Sequence, residues 1–136
     1  MRSLFILRGI PGSGKSTVAK EIAGTNGVVC EADSYFVGDD GMYRFDAKKL
    51  GLAHGWCGDC CENAMAERVH TIVVSNTNID LQHFAKYEDL AAQYGYRVFH
   101  LVVENRHGGT NQHGVPKHTL VSMREKLKNS IELGLG

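Results

Sequence analysis

Gly9-Ile10-Pro11-Gly12-Ser13-Gly14-Lys15-Ser16-Thr17 reads G-x-x-x-x-G-K-S, the pattern of a loop whose backbone N–H groups cradle phosphates. Its flanks agree with it. The apolar run Leu4-Phe5-Ile6-Leu7 comes just before, and Val18, Ala19 and Ile22 follow at helical spacing. A strand, a glycine-rich turn and a helix N-terminus aim several N–H groups and the positive end of a helix dipole at one point. That point suits a polyphosphate. The loop is expected to hold ATP through Gly9, Pro11, Gly12, Ser13, Gly14, Lys15, Ser16 and Thr17. Lys15 would reach the β- and γ-phosphates, and the Ser16 hydroxyl would hold Mg²⁺.

Working outward, the chain alternates strand and helix patterns. The helix opening at Lys15 runs to about Ala23, punctuated by Gly24 and Gly27, and Val28-Val29-Cys30 is a short second strand. That strand ends in Glu31-Ala32-Asp33, which puts Asp33 at the carboxyl edge of the sheet, where open α/β sheets bind ligands. Val37–Arg44, with Gly38, Asp39, Asp40 and Gly41, reads as a mobile loop. Asp46 is the expected N-cap of a helix whose apolar face is Leu50, Ala53, Cys57, Cys61 and Ala64, ending near Glu67. Gly51, Gly55 and Gly58 weaken that helix by about 1 kcal/mol each relative to alanine.

Thr71-Ile72-Val73-Val74 is a third strand leading into Ser75-Asn76-Thr77-Asn78. Phe84, Tyr87, Ala91 and Tyr94 mark one face of a helix starting near Asp80 and ended by Gly95. Tyr96–Val103 is a fourth strand, with Val98 and Leu101-Val102-Val103 as its apolar core. Asn105–Pro116 is polar and glycine-rich, and Lys117 to about Leu133 is a final amphipathic helix with Leu120, Met123, Leu127 and Ile131 inward. The β-α-β-α-β-α-β-α order implies an α/β, three-layer P-loop kinase fold: a four-stranded parallel sheet with the loop-bearing strand central and helices on both faces.

The 136 residues suit one domain. A hydrophobic share of 43% and a charged share of 22% are those of an ordinary globular chain, and no apolar run approaches the roughly 18 residues of a membrane span. Arg8 and the loop interrupt the first apolar run, so no signal-peptide layout is expected and the protein is placed in the cytoplasm. Zero formal net charge excludes the broad basic surface of a protein that coats nucleic acid. It leaves open an enzyme that grips one strand end with a few cations. Oligomeric state is not legible.

Several constellations bear chemistry. A kinase needs a carboxylate near the acceptor hydroxyl, and Asp33 is the candidate, the alternative being a turn or cap aspartate. Asn76 stands after the third strand where P-loop enzymes usually carry an acid. It is a candidate for substrate contact, while Asn78 also suits the start of the next helix. The segment from 105 to 116 reads as a lid with Arg106 as its one arginine, a candidate for stabilising the transferred phosphoryl, against an exposed surface arginine. His54, Cys57, Cys60 and Cys61 share helical spacing, but no second ligand pair follows, and cysteines of a cytosolic chain are expected free and in the core. Trp56 is expected in the core rather than on a base-stacking surface.

Gly9–Thr17, Glu31-Ala32-Asp33-Ser34-Tyr35-Phe36, Ala53-His54-Gly55-Trp56-Cys57, Val74-Ser75-Asn76-Thr77-Asn78 and His113-Gly114-Val115-Pro116 together resemble the kinase domain of the phage polynucleotide kinase family and its NEDD4-binding-protein-2-like ATPases. The likeness covers almost the whole chain. It implies an ATP- and Mg²⁺-dependent kinase acting on a 5′-hydroxyl end of DNA or RNA. It implies Asp33 as general base, Lys15 and Ser16 as phosphate and Mg²⁺ ligands, Arg106 in the lid, and Asp33, Tyr35, His54, Asn76 and Asn78 on the acceptor side. Three departures stand out. Phe36 lies in the segment where the phage enzyme has an acceptor-binding arginine. Thr110 precedes Asn-x-His-Gly-Val-Pro where relatives are basic. No Asp-x-Asp-x-Thr phosphatase signature occurs, so a bifunctional kinase–phosphatase is not expected. The rival readings are a kinase of another hydroxyl (a nucleoside, a small metabolite or a hydroxymethylated base) and a nucleotide-binding module with little transferase activity.

Overall fold

The computed structural model describes residues 1–77, 82, 84–104, 119, 121–123, 125, 126 and 128. Four strands, β1 (Ser3–Arg8), β2 (Val28–Cys30), β3 (Thr71–Ser75) and β4 (Arg97–Val102), form one parallel sheet in the order β2-β3-β1-β4. The strand before the glycine-rich loop is therefore central, as its uninterrupted apolar run requires. Leu7 of β1 is in register with Ser75 of β3 and Leu101 of β4, so the three strand ends reach the same edge.

Helices α1 (Lys15–Ala23), α2 (Leu50–Ala66) and α3 (Ala85–Tyr94) cover the two faces. Strand alternation separates the two cores. Leu4, Ile6, Cys30, Ile72 and Val74 point toward α2 and α3, where they meet Cys57, Cys61, Met65, Tyr87 and Ala91. Leu7 and Val73 point toward α1 and meet Ala19 and Ala23. Each fully buried Leu or Val contributes about 1.5–3 kcal/mol by leaving water.

Several local expectations need correction. Asp46 does cap the chain entering α2, its carboxylate accepting from the Lys48 N–H at 3.0 Å, but a short 3-10 turn, Ala47–Lys49, intervenes. Leu50, placed on the inward face by spacing, is 41% exposed, and Met65 takes the end of the stripe. The segment after β2 forms a 3-10 helix, Ala32–Phe36. Val37–Arg44 closes as a tight bridge between Val37 and Tyr43, held by Gly38 N–H to Met42 O, Arg44 N–H to Phe36 O and the Arg44–Asp40 pair. The apolar residues assigned to the core of β4 are only partly covered: Leu101 and Val102 are 38% and 39% exposed, because β4 lies at the edge of the sheet.

The expected start of α3 near Asp80 lies outside the described residues, as do the segment from 105 to 116 and most inward positions of the last helix. The described residues between Thr119 and Lys128 are helical. No helix of the described residues is long and apolar enough to cross a membrane.

Candidate functional site

The loop between β1 and α1 gets its shape from glycine. Gly14, the N-cap of α1, sits at φ 97°, a left-handed conformation that side chains resist, and no side chain caps the helix. The N–H groups of the first turn are thus left for a ligand. Gly9 is needed for another reason: a Cβ there would lie 2.6 Å from the Val103 carbonyl and 2.7 Å from Ser13 Oγ. The loop is tied to its neighbours by Gly9 N–H to Thr77 O at 3.2 Å and Val103 N–H to Arg8 O at 2.7 Å.

Lys15 folds back over this loop, Nζ donating to the Ile10 carbonyl at 3.0 Å. Burial lowers its pKa to about 8, against the opposing pull of the Asp33 and Glu31 charges. One residue on, Ser16 Oγ donates to Glu31 Oε1 at 3.0 Å. Asp33 lies exposed in the first turn of the 3-10 helix, and Tyr43 OH reaches its Oδ1 at 3.4 Å. The phosphate loop and the carboxyl end of β2 therefore meet at one place, with Lys15, Ser16, Glu31 and Asp33 on its walls. Ser75 Oγ, at the end of β3, is buried with no hydrogen-bond partner among the described residues. By strand alternation it shares the α1 face with Val73.

Asn76 does not face outward. Its side chain is buried, accepting from the Ala32 N–H at 2.8 Å and donating toward Tyr87 OH at 3.4 Å and Cys57 Sγ at 3.5 Å. The carboxamide locks the start of the Asp33 helix to α2 and α3, because a buried N–H must find an acceptor. His54 is exposed on α2, its carbonyl accepting from Lys86 Nζ at 2.8 Å. Tyr35 is half-buried beside Trp56, their rings 6.1 Å apart. Trp56 is 39% exposed, not in the core. Cys57 and Cys61 are buried, and burial raises the Cys57 thiol. Arg106 and Asn78 lie outside the described residues.

Sequence reading passed over two members of the site. Glu31 was legible as an acid at the end of β2, two positions before Asp33. Tyr43 carried no signal, since only closure of the loop brings it back to Asp33.

Comparison with known proteins places this geometry in context. Residues 4–108 match the family described as AAA domain. Human NEDD4-binding protein 2 is 31% identical over 139 residues, 96% of this chain and 8% of that protein. The 2′,3′-cyclic-nucleotide 3′-phosphodiesterase of Pongo abelii is 31% identical over 102 residues, 71% of this chain and 23% of that one. The chain thus spans less than a quarter of the length of these curated relatives. Among solved structures, a chain of the Pnkp1/Rnl/Hen1 RNA repair complex superposes with a TM-score of 0.75 at 19% identity, over 96% of this chain and 45% of that one. The APS kinase CysC of Mycobacterium tuberculosis superposes with a TM-score of 0.57 at 17% identity, over 99% and 98%. Both show the same fold.

Proposed function

The chain belongs to the AAA domain family, with the fold of P-loop kinases, and we propose that it transfers the γ-phosphate of ATP to a 5′-hydroxyl end of DNA or RNA. The observation that carries this reading is the convergence on Lys15, whose ammonium feels both the Asp33 and the Glu31 carboxylates. A phosphate-binding cation and an exposed carboxylate beside it are what phosphoryl transfer to a hydroxyl requires. The motif set shared with polynucleotide kinases points to a strand end. A relative named for acting on 2′,3′-cyclic nucleotides supports an acceptor of nucleotide type.

The proposed step balances as follows. The acceptor oxygen forms a bond to the γ-phosphorus, and its proton passes to an oxygen of Asp33. The bond from the γ-phosphorus to the β,γ-bridging oxygen breaks, and ADP leaves. The N–H groups of the loop and the Lys15 ammonium stabilise the charge that spreads over the phosphoryl oxygens. Tyr43 OH restricts where the Asp33 carboxylate points. Arg106 is proposed as a further cation on the phosphoryl.

Mg²⁺, when bound, neutralises charge across the β- and γ-phosphates. The residues present fit it. Ser16 Oγ and Glu31 Oε1, 3.0 Å apart, are the hard oxygen donors such a cation takes, and the partnerless Ser75 hydroxyl lies on the same face of the sheet.

The test is an acceptor screen with γ-labelled ATP, offering oligonucleotides with 5′-hydroxyl ends, nucleosides and hydroxymethylated DNA. Label is expected on the 5′ ends. Label confined to nucleosides or to the modified base would overturn the assignment.

A further inference from the structure

The surface beside Asp33 is apolar where an enzyme acting on polyanions would be expected to be polar. Phe36, itself buried, is the hub of an aromatic cluster. Its ring meets Tyr35 at 5.4 Å, Tyr43 at 6.2 Å and Phe45 at 5.1 Å, all edge-on, and Tyr35 in turn meets Trp56 at 6.1 Å. Edge-on packing against a buried ring fixes the outer rings while leaving their faces free. Tyr43, Phe45 and Trp56 are 42%, 52% and 39% exposed. They come from separate parts of the chain: the Val37–Arg44 loop, the segment after it, and α2. An exposed apolar cluster of this kind marks a contact site.

Helix α2 adds an independent observation. Gly51 and Gly55 lie one turn apart, and a Cβ built on either would meet nothing within 4 Å. Nothing in the fold excludes a side chain there, yet glycine costs the helix about 1 kcal/mol at each position. Leu52 and Trp56, also one turn apart and both exposed, lie directly beside this bare strip. A flat helix surface flanked by an exposed indole suits close approach of a planar group. Lys48 and Lys49, exposed at the entry to α2, place cations next to Phe45. The one other cation of this loop, Arg44, is already paired with Asp40 at 2.6 Å.

We propose that Tyr43, Phe45 and Trp56 form a stacking platform for the terminal bases of a single-stranded acceptor, so that this enzyme prefers an unpaired 5′ end to a blunt duplex. The proposal rests on the kinase reading above. Planar faces for bases beside lysines for phosphates are the elements of sequence-tolerant single-strand binding. The bond from Tyr43 OH to Asp33 joins the platform to the carboxylate that would receive the hydroxyl. Phe36, in the segment where the phage-type pattern has an arginine, shows the exchange this entails: grip by charge gives way to grip by stacking.

Trp56 is the single tryptophan of the chain, so its fluorescence reports the platform directly. The experiment titrates the protein with a 5′-hydroxyl oligonucleotide, with the same strand carrying an abasic 5′ residue, and with a blunt duplex. Transfer from labelled ATP is measured on each. Saturable quenching by the intact strand and much weaker quenching by the other two are expected. The acceptor KM should rise about tenfold for the abasic end and for Trp56→Ala, with the ATP KM unchanged and Trp56→Phe restoring most of the loss. Transfer with equal KM and equal quenching for intact and abasic ends overturns the platform and leaves the kinase reading standing. Base-dependent quenching without transfer supports the platform and removes the kinase reading; neither signal removes both. A dimer that Trp56→Ala converts to a monomer would make the patch a self-contact and overturn the proposal.

Discussion

Replacing Asn76 by alanine should unfold this protein more readily without touching its substrates. The carboxamide oxygen accepts the Ala32 N–H at 2.8 Å, in a place where Ala32 is 5% and Asn76 8% exposed. Without it the Ala32 N–H has lost its acceptor in a site that water barely reaches, a cost of about 1–3 kcal/mol. The space vacated among Cys57, Tyr87 and Ala32 adds a cavity term, bringing the expected loss to about 2–4 kcal/mol. The longer bonds to Tyr87 OH and Cys57 Sγ, at 3.4 and 3.5 Å, add little. Denaturant unfolding would read the loss as a lower midpoint at unchanged slope, and thermal unfolding as a drop of about 10 °C. Transfer kinetics measured below the new transition should show nucleotide and acceptor KM within about threefold of wild type, with kcat reduced because the Asp33 helix is no longer anchored. If stability stayed within about 0.5 kcal/mol while the acceptor KM rose tenfold, Asn76 would be a substrate contact and the structural role argued for it would be wrong.

Other perturbations follow from the same geometry. Gly9→Ala puts a methyl 2.6 Å from the Val103 carbonyl, so the loop must shift, and nucleotide affinity measured calorimetrically should fall more than tenfold with about 1–3 kcal/mol of stability. Lys15, lowered from 10.5 to about 8 in the fold, is less protonated there than in the unfolded chain between those values. The ligand-free protein should therefore gain stability relative to Lys15→Met as pH rises from about 8 to 10.5. A melting series in which that difference shrank with pH would reverse the sign of the argument. Over the start of the same window nucleotide binding should weaken, since the phosphates want the cation. Arg68 closes α2 at φ 60°, a conformation better suited to glycine, so Arg68→Gly should raise the unfolding free energy by about 0.5–1 kcal/mol; a loss would mean that its side chain contributes more than the strain costs.

Much of the frame was legible because it depends on short-range pattern. The strand, loop and helix around Lys15 follow from an apolar run, glycine spacing and helical periodicity, and the alternation of elements implies a parallel sheet with β1 inside. The site was legible as far as strand ends could be counted, which put Asp33 and the loop on one edge. What escaped depends on contacts between distant segments. Periodicity assigns Asn76 to the end of β3 but cannot tell whether its amide meets substrate or a backbone N–H forty-four positions away. Spacing placed Leu50 inward and Trp56 in the core, whereas the short turn before α2 and the packing of Phe36 leave both partly in water. Glu31 was visible as an acid, but its bond to Ser16 exists only because β2 and α1 end beside each other.

The central claim is that Asp33 accepts the proton of an acceptor hydroxyl while the P-loop holds the phosphates. Asp33→Asn tests it most directly, since it keeps the side chain's size, removes the basic oxygen, and alters a residue that is exposed and not part of the core. Single-turnover transfer from γ-labelled ATP to a 5′-hydroxyl oligonucleotide should fall by about two to four orders of magnitude, with nucleotide affinity and melting temperature unchanged. Transfer at the wild-type rate in this variant would contradict the account.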